Sequence, residues 1–228
     1  MKWLDKKFPQ DVNIRITGLT KELNVFYLLS LFKSKQENLL VVTNSLYECN
    51  QLYSLLSTYT DDVLLFPMDD FLSSVALAIS PDLKIKRLET LKKIEEKKNI
   101  VVTNLTGFLK YLPPIKEGGK KELRLKVHEE ISRDDIVLCL EEYGYTRDSL
   151  VTATGTYAVR GFIIDIFSTF LEHPVRIEFF GDEIESIRYF DEDTQLSLHS
   201  IEEVFISPYD EIVEDGHNSL VDYLKQPI

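Results

Sequence analysis

The residues that could do chemistry in this 228-residue chain fall at a few places. Gly18 follows the short run Ile14-Arg15-Ile16-Thr17, where a phosphate-binding loop would begin in a nucleotide-binding sheet. The pattern GxxxxGK[ST] uses backbone N–H groups, a lysine on the β/γ-phosphates and a hydroxyl on magnesium. It would require Gly, Lys and Ser or Thr at positions 23, 24 and 25, where the sequence has Leu23, Asn24 and Val25. The second glycine, the lysine for the phosphates and the magnesium-binding hydroxyl are all missing. Lys21 precedes the expected start of the helix and is no simple substitute. Asp69-Asp70 has the composition of a metal-binding acidic pair, but no further ligand lies near it in sequence, and a solvated turn explains it more simply. His128, His173, His199 and His217 are scattered, with no metal-ligand spacing between any two, and no serine stands in a GxSxG turn. Cys49 and Cys139 lie far apart and read as two reduced thiols. No cofactor, metal or catalytic residue is expected.

A second kind of chemistry is recognition. In Pro174-Val175-Arg176-Ile177-Glu178-Phe179-Phe180, strand alternation sends Val175, Ile177 and Phe179 to one face and Arg176, Glu178 and Phe180 to the other. If the apolar face is the core, Phe180 stands outside beside an arginine and a glutamate, the composition of a protein-binding hot spot. Ordinary packing of Phe180 beneath the following hairpin fits the pattern equally. Arg160, in Ala158-Val159-Arg160-Gly161-Phe162, shares a face with Phe162, Ile164 and Ile166 if the strand runs unbroken. A bulge at Gly161 would change that facing. Without one, Arg160 is expected to pair with an acid, Asp165 or Glu178.

The elements that must carry these residues are of two types. Up to residue 116, buried runs alternate with helical patterns. Leu39–Thr43, Val63–Phe66 and Ile100–Thr103 read as strands of a parallel sheet, with Ile14–Thr17 as a shorter first strand. Ser45-Leu46-Tyr47-Glu48 is a capping box, and Leu46, Cys49, Tyr53 and Leu56 follow at helical spacing. Ser80-Pro81-Asp82 opens another helix that ends among lysines. The order β-α-β-α-β-α-β predicts an α/β, Rossmann-like parallel-sheet domain over 1–116. Pro113-Pro114 and Glu117–Lys121 close it as a linker. Beyond it, the pattern predicts a small α+β domain with an antiparallel sheet. Leu123–Val127 is a strand, Ser132 caps a helix ending near Gly144, and Tyr157–Phe167 is read as one strand. Val175–Phe180 pairs with Ile184–Phe190 across Gly181-Asp182, Val204–Ile206 is the last strand, and Ser219–Leu224 is a short helix.

Charge divides the chain at the same place. Residues 1–116 hold 16 basic and 13 acidic side chains, whereas 117–228 hold 10 and 25, a net of −15. Binding to nucleic acid works by neutralising phosphates, so the second half is a poor nucleic-acid binder and a plausible protein binder. Its aromatics interleave with acids rather than with basic residues, unlike a base-stacking surface. No apolar run approaches the roughly 20 residues that span a bilayer, and Met1–Lys7 has no apolar signal core, so a cytoplasmic protein without a membrane partner is expected.

The stretches Gly155–Phe167 (GTYAVRGFIIDIF) and Arg176–Arg188 (RIEFFGDEIESIR) resemble the signature shared by the excision-repair protein UvrB and the transcription-repair coupling factors. Phe190-Asp191, Thr194-Gln195, Leu65-Phe66-Pro67, Ser80-Pro81-Asp82 and Arg87–Leu91 are similar to the coupling-factor version. The degenerate loop at Gly18 and the lack of UvrB's tyrosine-rich damage-probing hairpin favour the coupling factors over UvrB.

The resemblance implies a non-catalytic recruitment module built on a degenerate helicase-like P-loop fold. The parent would be an ATP-dependent DNA translocase that removes stalled RNA polymerase. Residues 121–208 would be the UvrA-binding insert, and 209–228 the start of the first domain's returning segment. Arg160, Arg176 and Phe180 would contact UvrA. RNA polymerase and DNA would be met only through regions beyond this chain, and other domains of the parent would be further partners. A UvrB-like ATP-dependent DNA enzyme and an autoinhibitory clamp on the parent's motor are the competing readings.

Overall fold

The structure is a computed structural model that describes residues 15–70, 80–112, 122–209 and 218–225. The chain is mixed α/β and divides into two compact units, residues 1–112 with 217–228 and residues 113–216.

In the first unit, helix α1 (Lys21–Lys35) is followed by β1 (Leu39–Thr43), α2 (Leu46–Ser57), β2 (Val63–Phe66), α3 (Pro81–Ile94), β3 (Ile100–Asn104) and the single turn α4 (Leu105–Phe108). The strands form a three-stranded sheet in the order β1-β3-β2, and both pairings are parallel. All residues of β2 and β3 are buried, as continuous apolar runs require in a sheet covered on both faces. Val25, Leu28, Cys49, Leu56, Ile100 and Val102 meet in its core.

The expected four-strand Rossmann-like series is not established. Of the first candidate strand, Ile14 lies outside the described residues, and Arg15–Thr17 are not strand. Three strands remain among the described residues. Ser45 accepts from Glu48 N at 3.2 Å, whereas Glu48 turns its carboxylate to Asn44 N at 3.2 Å, so the expected reciprocal box is shifted by one residue. Ser80 holds the cap position of α3 without a side-chain cap bond, and Pro81 starts the helix.

The second unit contains β4 (Leu123–Lys126), α5 (Arg133–Glu142), β5 (Thr146–Arg147), β6 (Thr156–Arg160), β7 (Ile163–Ile166), β8 (Val175–Phe180), β9 (Glu183–Phe190), β10 (Ser197–Ile201) and β11 (Glu203–Ile206). Six strands lie in the order β10-β9-β8-β7-β6-β5, and β11 pairs with β4 apart from them. All neighbours in the larger sheet are antiparallel except β5 and β6.

Tyr157–Phe167 is therefore two strands, not one. Arg160 pairs with Ile163 across the two-residue loop Gly161-Phe162. Gly161 has φ +60°, in the left-handed region that the first position of a type II′ hairpin loop requires. The Gly181-Asp182 hairpin, expected from sequence, uses the same device with φ +65° at Gly181. One sheet face buries Tyr157, Ile164, Ile177 and Ile187 against Ile136 and Leu140 of α5. Each such aliphatic side chain contributes about 1.5–3 kcal/mol on burial. The other face carries Arg160, Asp165, Arg176 and Glu178, with a small apolar cluster that includes Ala158 and Phe190.

The chain returns to the first unit through helix α6 (Leu220–Leu224), where Ser219 and Asp222 form a reciprocal capping box. Leu112 and Asn218 pair as an antiparallel bridge, and Asn38 donates to the Leu224 carbonyl at 2.9 Å.

Candidate docking face

The outer face of the six-stranded sheet is set by alternation. Along β8, Val175, Ile177 and Phe179 are buried, whereas Arg176 and Glu178 are half-buried and Phe180 is exposed. The irregularity between β8 and β9 lies where Glu178 opposes Ser186 and Phe179 opposes Ile184. The extra residue, Glu185, is on β9, so the alternation of β8 survives. Phe180 is 78% exposed and is not tucked beneath its hairpin.

The centre of this face is Asp165 on β7, which is fully buried. It lies opposite Ala158 of β6 and opposite Arg176 of β8. Arg176 donates from Nε to Asp165 Oδ1 at 2.8 Å and from Nη2 to Oδ2 at 2.9 Å. This two-pronged geometry is the strong form of an arginine–carboxylate pair. Arg160 Nη2 donates to the same Oδ2. These hydrogen bonds hold the Arg176 pKa above the ordinary arginine value, against the opposing effect of burial.

Arg176 is closed in from above as well. Its Nη1 and Nη2 reach the backbone oxygen and Oε1 of Gln195, each at 3.4 Å. Its guanidinium stands 4.4 Å from the centre of the Phe190 ring. Gln195 adopts φ +62° and donates from Nε2 to the carbonyls of Val151 at 3.1 Å and Glu192 at 2.8 Å. Asp191 accepts from Thr194 N and Oγ1, both at 2.7 Å, and fixes the same loop. These hydrogen bonds hold the Asp191 carboxyl below its usual range.

The side chain of Arg176 is 13% exposed, and that of Arg160 is 44% exposed. Beside them Glu178 accepts from Arg188 Nη2 and from Ser186 Oγ. Phe162, in the β6–β7 loop, is also exposed, and Arg133 Nη1 donates to the neighbouring Gly161 carbonyl at 2.6 Å. The face thus combines an accessible arginine, a sealed one and an exposed phenylalanine.

The hairpin, not a bulge, decides the facing of Arg160. It lies on the Asp165 side, so the alternation argument through Phe162 and Ile164 does not hold. The expected pairing with an acid does. Neither Asp165 as a shared partner nor Gln195 as a latch was singled out from the sequence. The alternation of Ile164-Asp165-Ile166 was the available signal, once Gly161-Phe162 is read as a loop.

The positions where a nucleotide loop would lie have other roles. Gly18 has φ +80° with open space around it. Thr20 caps α1 by accepting from Leu23 N at 3.3 Å, and Leu23, Asn24 and Val25 follow within the helix. Val25 is 1% exposed in the core. Lys21 is the first residue of the helix rather than a residue ahead of it, and it donates to Gln51 Oε1 at 3.1 Å. Asp70 is not merely solvated: its two oxygens accept from Leu46 N at 2.8 and 3.0 Å, and Oδ1 also accepts from Asn104 Nδ2 at 2.9 Å. It caps α2 from a distant loop, a carboxylate at the positive end of a helix.

Neither Cys49 nor Cys139 is in a disulfide. His128 lies 3.0 Å from Glu183 and His173 lies 3.4 Å from Glu192, while His217 lies outside the described residues. Among the described residues no cluster of three or more His, Cys, Asp or Glu is arranged to hold a metal, and no helix is long and apolar enough to cross a membrane.

The outer face of this sheet thus presents an exposed aromatic, Phe180, and a partly exposed arginine, Arg160. Residues 123–211 match the family described as the UvrB interaction domain. Over most of its length the chain is similar to the transcription-repair-coupling factors. It is 35% identical over 207 residues to the transcription-repair-coupling factor of Staphylococcus aureus strain MRSA252, covering 90% of this chain and 18% of that protein. It is 34% identical over 226 residues to that of Staphylococcus epidermidis strain RP62A, covering 95% and 19%. The Staphylococcus haemolyticus protein of the same name is 34% identical over 212 residues, covering 89% and 18%. The chain thus spans about a fifth of the length of these relatives.

Proposed function

We propose that this chain is a recruitment module without catalysis of its own, and that the second unit docks UvrA through the face carrying Arg160, Arg176 and Phe180. The observation that supports this most is the 78% exposure of Phe180 beside the arginine network, within the segment matched as the UvrB interaction domain. An aromatic and an arginine are the side chains most often found at the energetic centre of an interface. The role is to bring excision repair to stalled RNA polymerase in the cytoplasm. The parent protein is an ATP-dependent DNA translocase, and RNA polymerase and DNA are met by its other regions. The first unit is a degenerate nucleotide-binding, helicase-like domain interrupted by the second.

A UvrB-like ATP-dependent enzyme is opposed by the buried Val25 and by the prior engagement of Lys21 and Asp70. A clamp on the parent's motor would use the first unit, the second or both. It would be favoured if substitutions at Arg176 and Phe180 released the motor without changing UvrA binding.

Calorimetric titration of the chain with purified UvrA tests the reading. Wild type should bind, and Arg160→Ala, Arg176→Ala and Phe180→Ala should each weaken binding by about 30-fold or more, the threshold of an interface hot spot. A folded Phe180→Ala chain that binds like wild type would remove the face from the interaction.

A further inference from the structure

The two arginines of the docking face are not equivalent. Arg176 has both Nε and Nη2 on Asp165, its remaining nitrogen directed at Gln195 and its flat side on Phe190. Arg160 uses one nitrogen on Asp165, and its other donors take no partner among the described residues. Asp165 is fully buried and touches both, so no partner protein can reach it without unpacking the sheet.

We propose that Asp165 is the positioning residue of this face, that Arg176 acts behind it as a strut, and that Arg160 is the cation offered to the partner, where it takes a carboxylate. This rests on the docking function proposed above and specifies its chemistry.

The reasoning is one of charge and geometry. Two guanidinium groups on one buried carboxylate leave one unit of positive charge, and only Arg160 can direct it outward. A free arginine side chain samples many rotamers and loses that freedom on binding. Arg160 already holds one end against Asp165, so the ordering cost is partly met before the partner arrives. Asp165 cannot do this alone, because its orientation is fixed by the two-pronged bond from Arg176. Gln195 completes the frame from the loop side.

The class of partner group follows from the surroundings. The second half of the chain carries a net charge of −15, which repels a polyanion such as DNA. One localised positive charge beside an exposed phenylalanine fits a single carboxylate adjoining apolar surface. A planar guanidinium with free donors matches that group in a fork.

The test begins with the wild-type chain and UvrA. If wild type does not bind, the docking function itself fails, separately from the claim about Asp165. With binding in hand, Asp165→Asn is the direct variant, but it leaves Arg176 buried without its anion and can fail to fold. The paired substitution Asp165→Leu with Arg176→Met removes both charges together, a change that buried ion pairs often tolerate.

The folded double variant should bind about tenfold or more weakly, although neither altered side chain is the contact. Adding both changes to Arg160→Ala should cause no further loss beyond about twofold, because their effect passes through Arg160. Arg160→Glu should bind more weakly than Arg160→Ala if the partner group is a carboxylate.

Wild-type affinity in the double variant overturns the positioning role. An additional large loss in the Arg160→Ala background overturns the strut assignment and makes Arg176 a contact. Equal affinities of Arg160→Glu and Arg160→Ala, or binding of a DNA oligonucleotide that Arg160→Ala abolishes, overturn the carboxylate.

Discussion

The two units put their polar side chains to opposite uses. In the first, they turn to the backbone. Thr90 donates to Leu65 O at 2.6 Å, Thr103 to Phe66 O at 2.7 Å and Arg87 to Pro67 O at 3.0 Å, while Asn104 Nδ2 donates to Met68 O at 2.6 Å. These bonds satisfy carbonyls at the end of β2 and just after it, where open α/β sheets ordinarily bind ligands. In the second, the polar side chains of the outer face bond chiefly to one another across strands. Side chain–backbone bonds fix a fold and leave little to offer a ligand. Cross-strand pairs on an open face can leave donors over, as Arg160 does.

Four measurements would break or sharpen that contrast. The largest effect is expected at Phe180. Replacing it with alanine should reduce UvrA binding by about 2 kcal/mol or more and leave thermal stability within about 0.5 kcal/mol. A large fall in Tm would make Phe180 a packing residue and erase the contrast.

Val25→Ser, which puts a hydroxyl where a nucleotide loop would carry one, should destabilise the first unit by about 1–3 kcal/mol, because it exchanges buried methyl groups for a polar atom. Calorimetry of the same variant should register no ATP binding. Heat from ATP would show that the loop is closer to function than its packing indicates.

Asp70→Ala should cost about 1 kcal/mol through loss of the α2 cap, read as a lower denaturant midpoint with unchanged slope. An unchanged midpoint would make the long-range cap ornamental.

The smallest effect at neutral pH is expected at Cys49. Burial pushes its thiol pKa up to about 12, from 9.0 as the reference value. The folded state therefore keeps its proton where the unfolded chain loses it. Stability from this group is intact below pH 9 and declines between pH 9 and about 12, by at most about 1.4 kcal/mol per pH unit. Cys49→Ala should flatten that decline, and thiol reagents should label wild type slowly at pH 8.

Much of this was legible in the sequence, for identifiable reasons. The Gly181-Asp182 hairpin and the alternation of Val175–Phe180 are local signals; they set Phe180 opposite the apolar residues of its strand but left open whether it packs beneath the hairpin, and the structure exposes it. The segment Tyr157–Phe167 was harder, because Gly161 is compatible with a bulge and with a hairpin. Either turns Arg160 away from the face of Ile164 and Ile166, unlike an unbroken strand, and the pairing of β6 with β7 decides for the hairpin. Strand β10 has the sequence Ser-Leu-His-Ser-Ile, whose exposed residues give no clean apolar period; its pairing with β9 creates it. Gln195 reaches Arg176 from 19 residues away through a left-handed backbone, which no periodicity reports. Asp70 was ambiguous for a similar reason: its partner, Leu46 N, is 24 residues away.

The bridge between Leu112 and Asn218 has a consequence for how the chain is made. It closes an excursion of roughly a hundred residues, and the entropy of closing a flexible loop rises with the logarithm of its length. If the inserted unit folds first, less of that chain is flexible and the closure costs less. During synthesis the inserted unit emerges in full before α6 does. The pairing of Leu112 with Asn218 therefore waits until the whole of the inserted unit has been made.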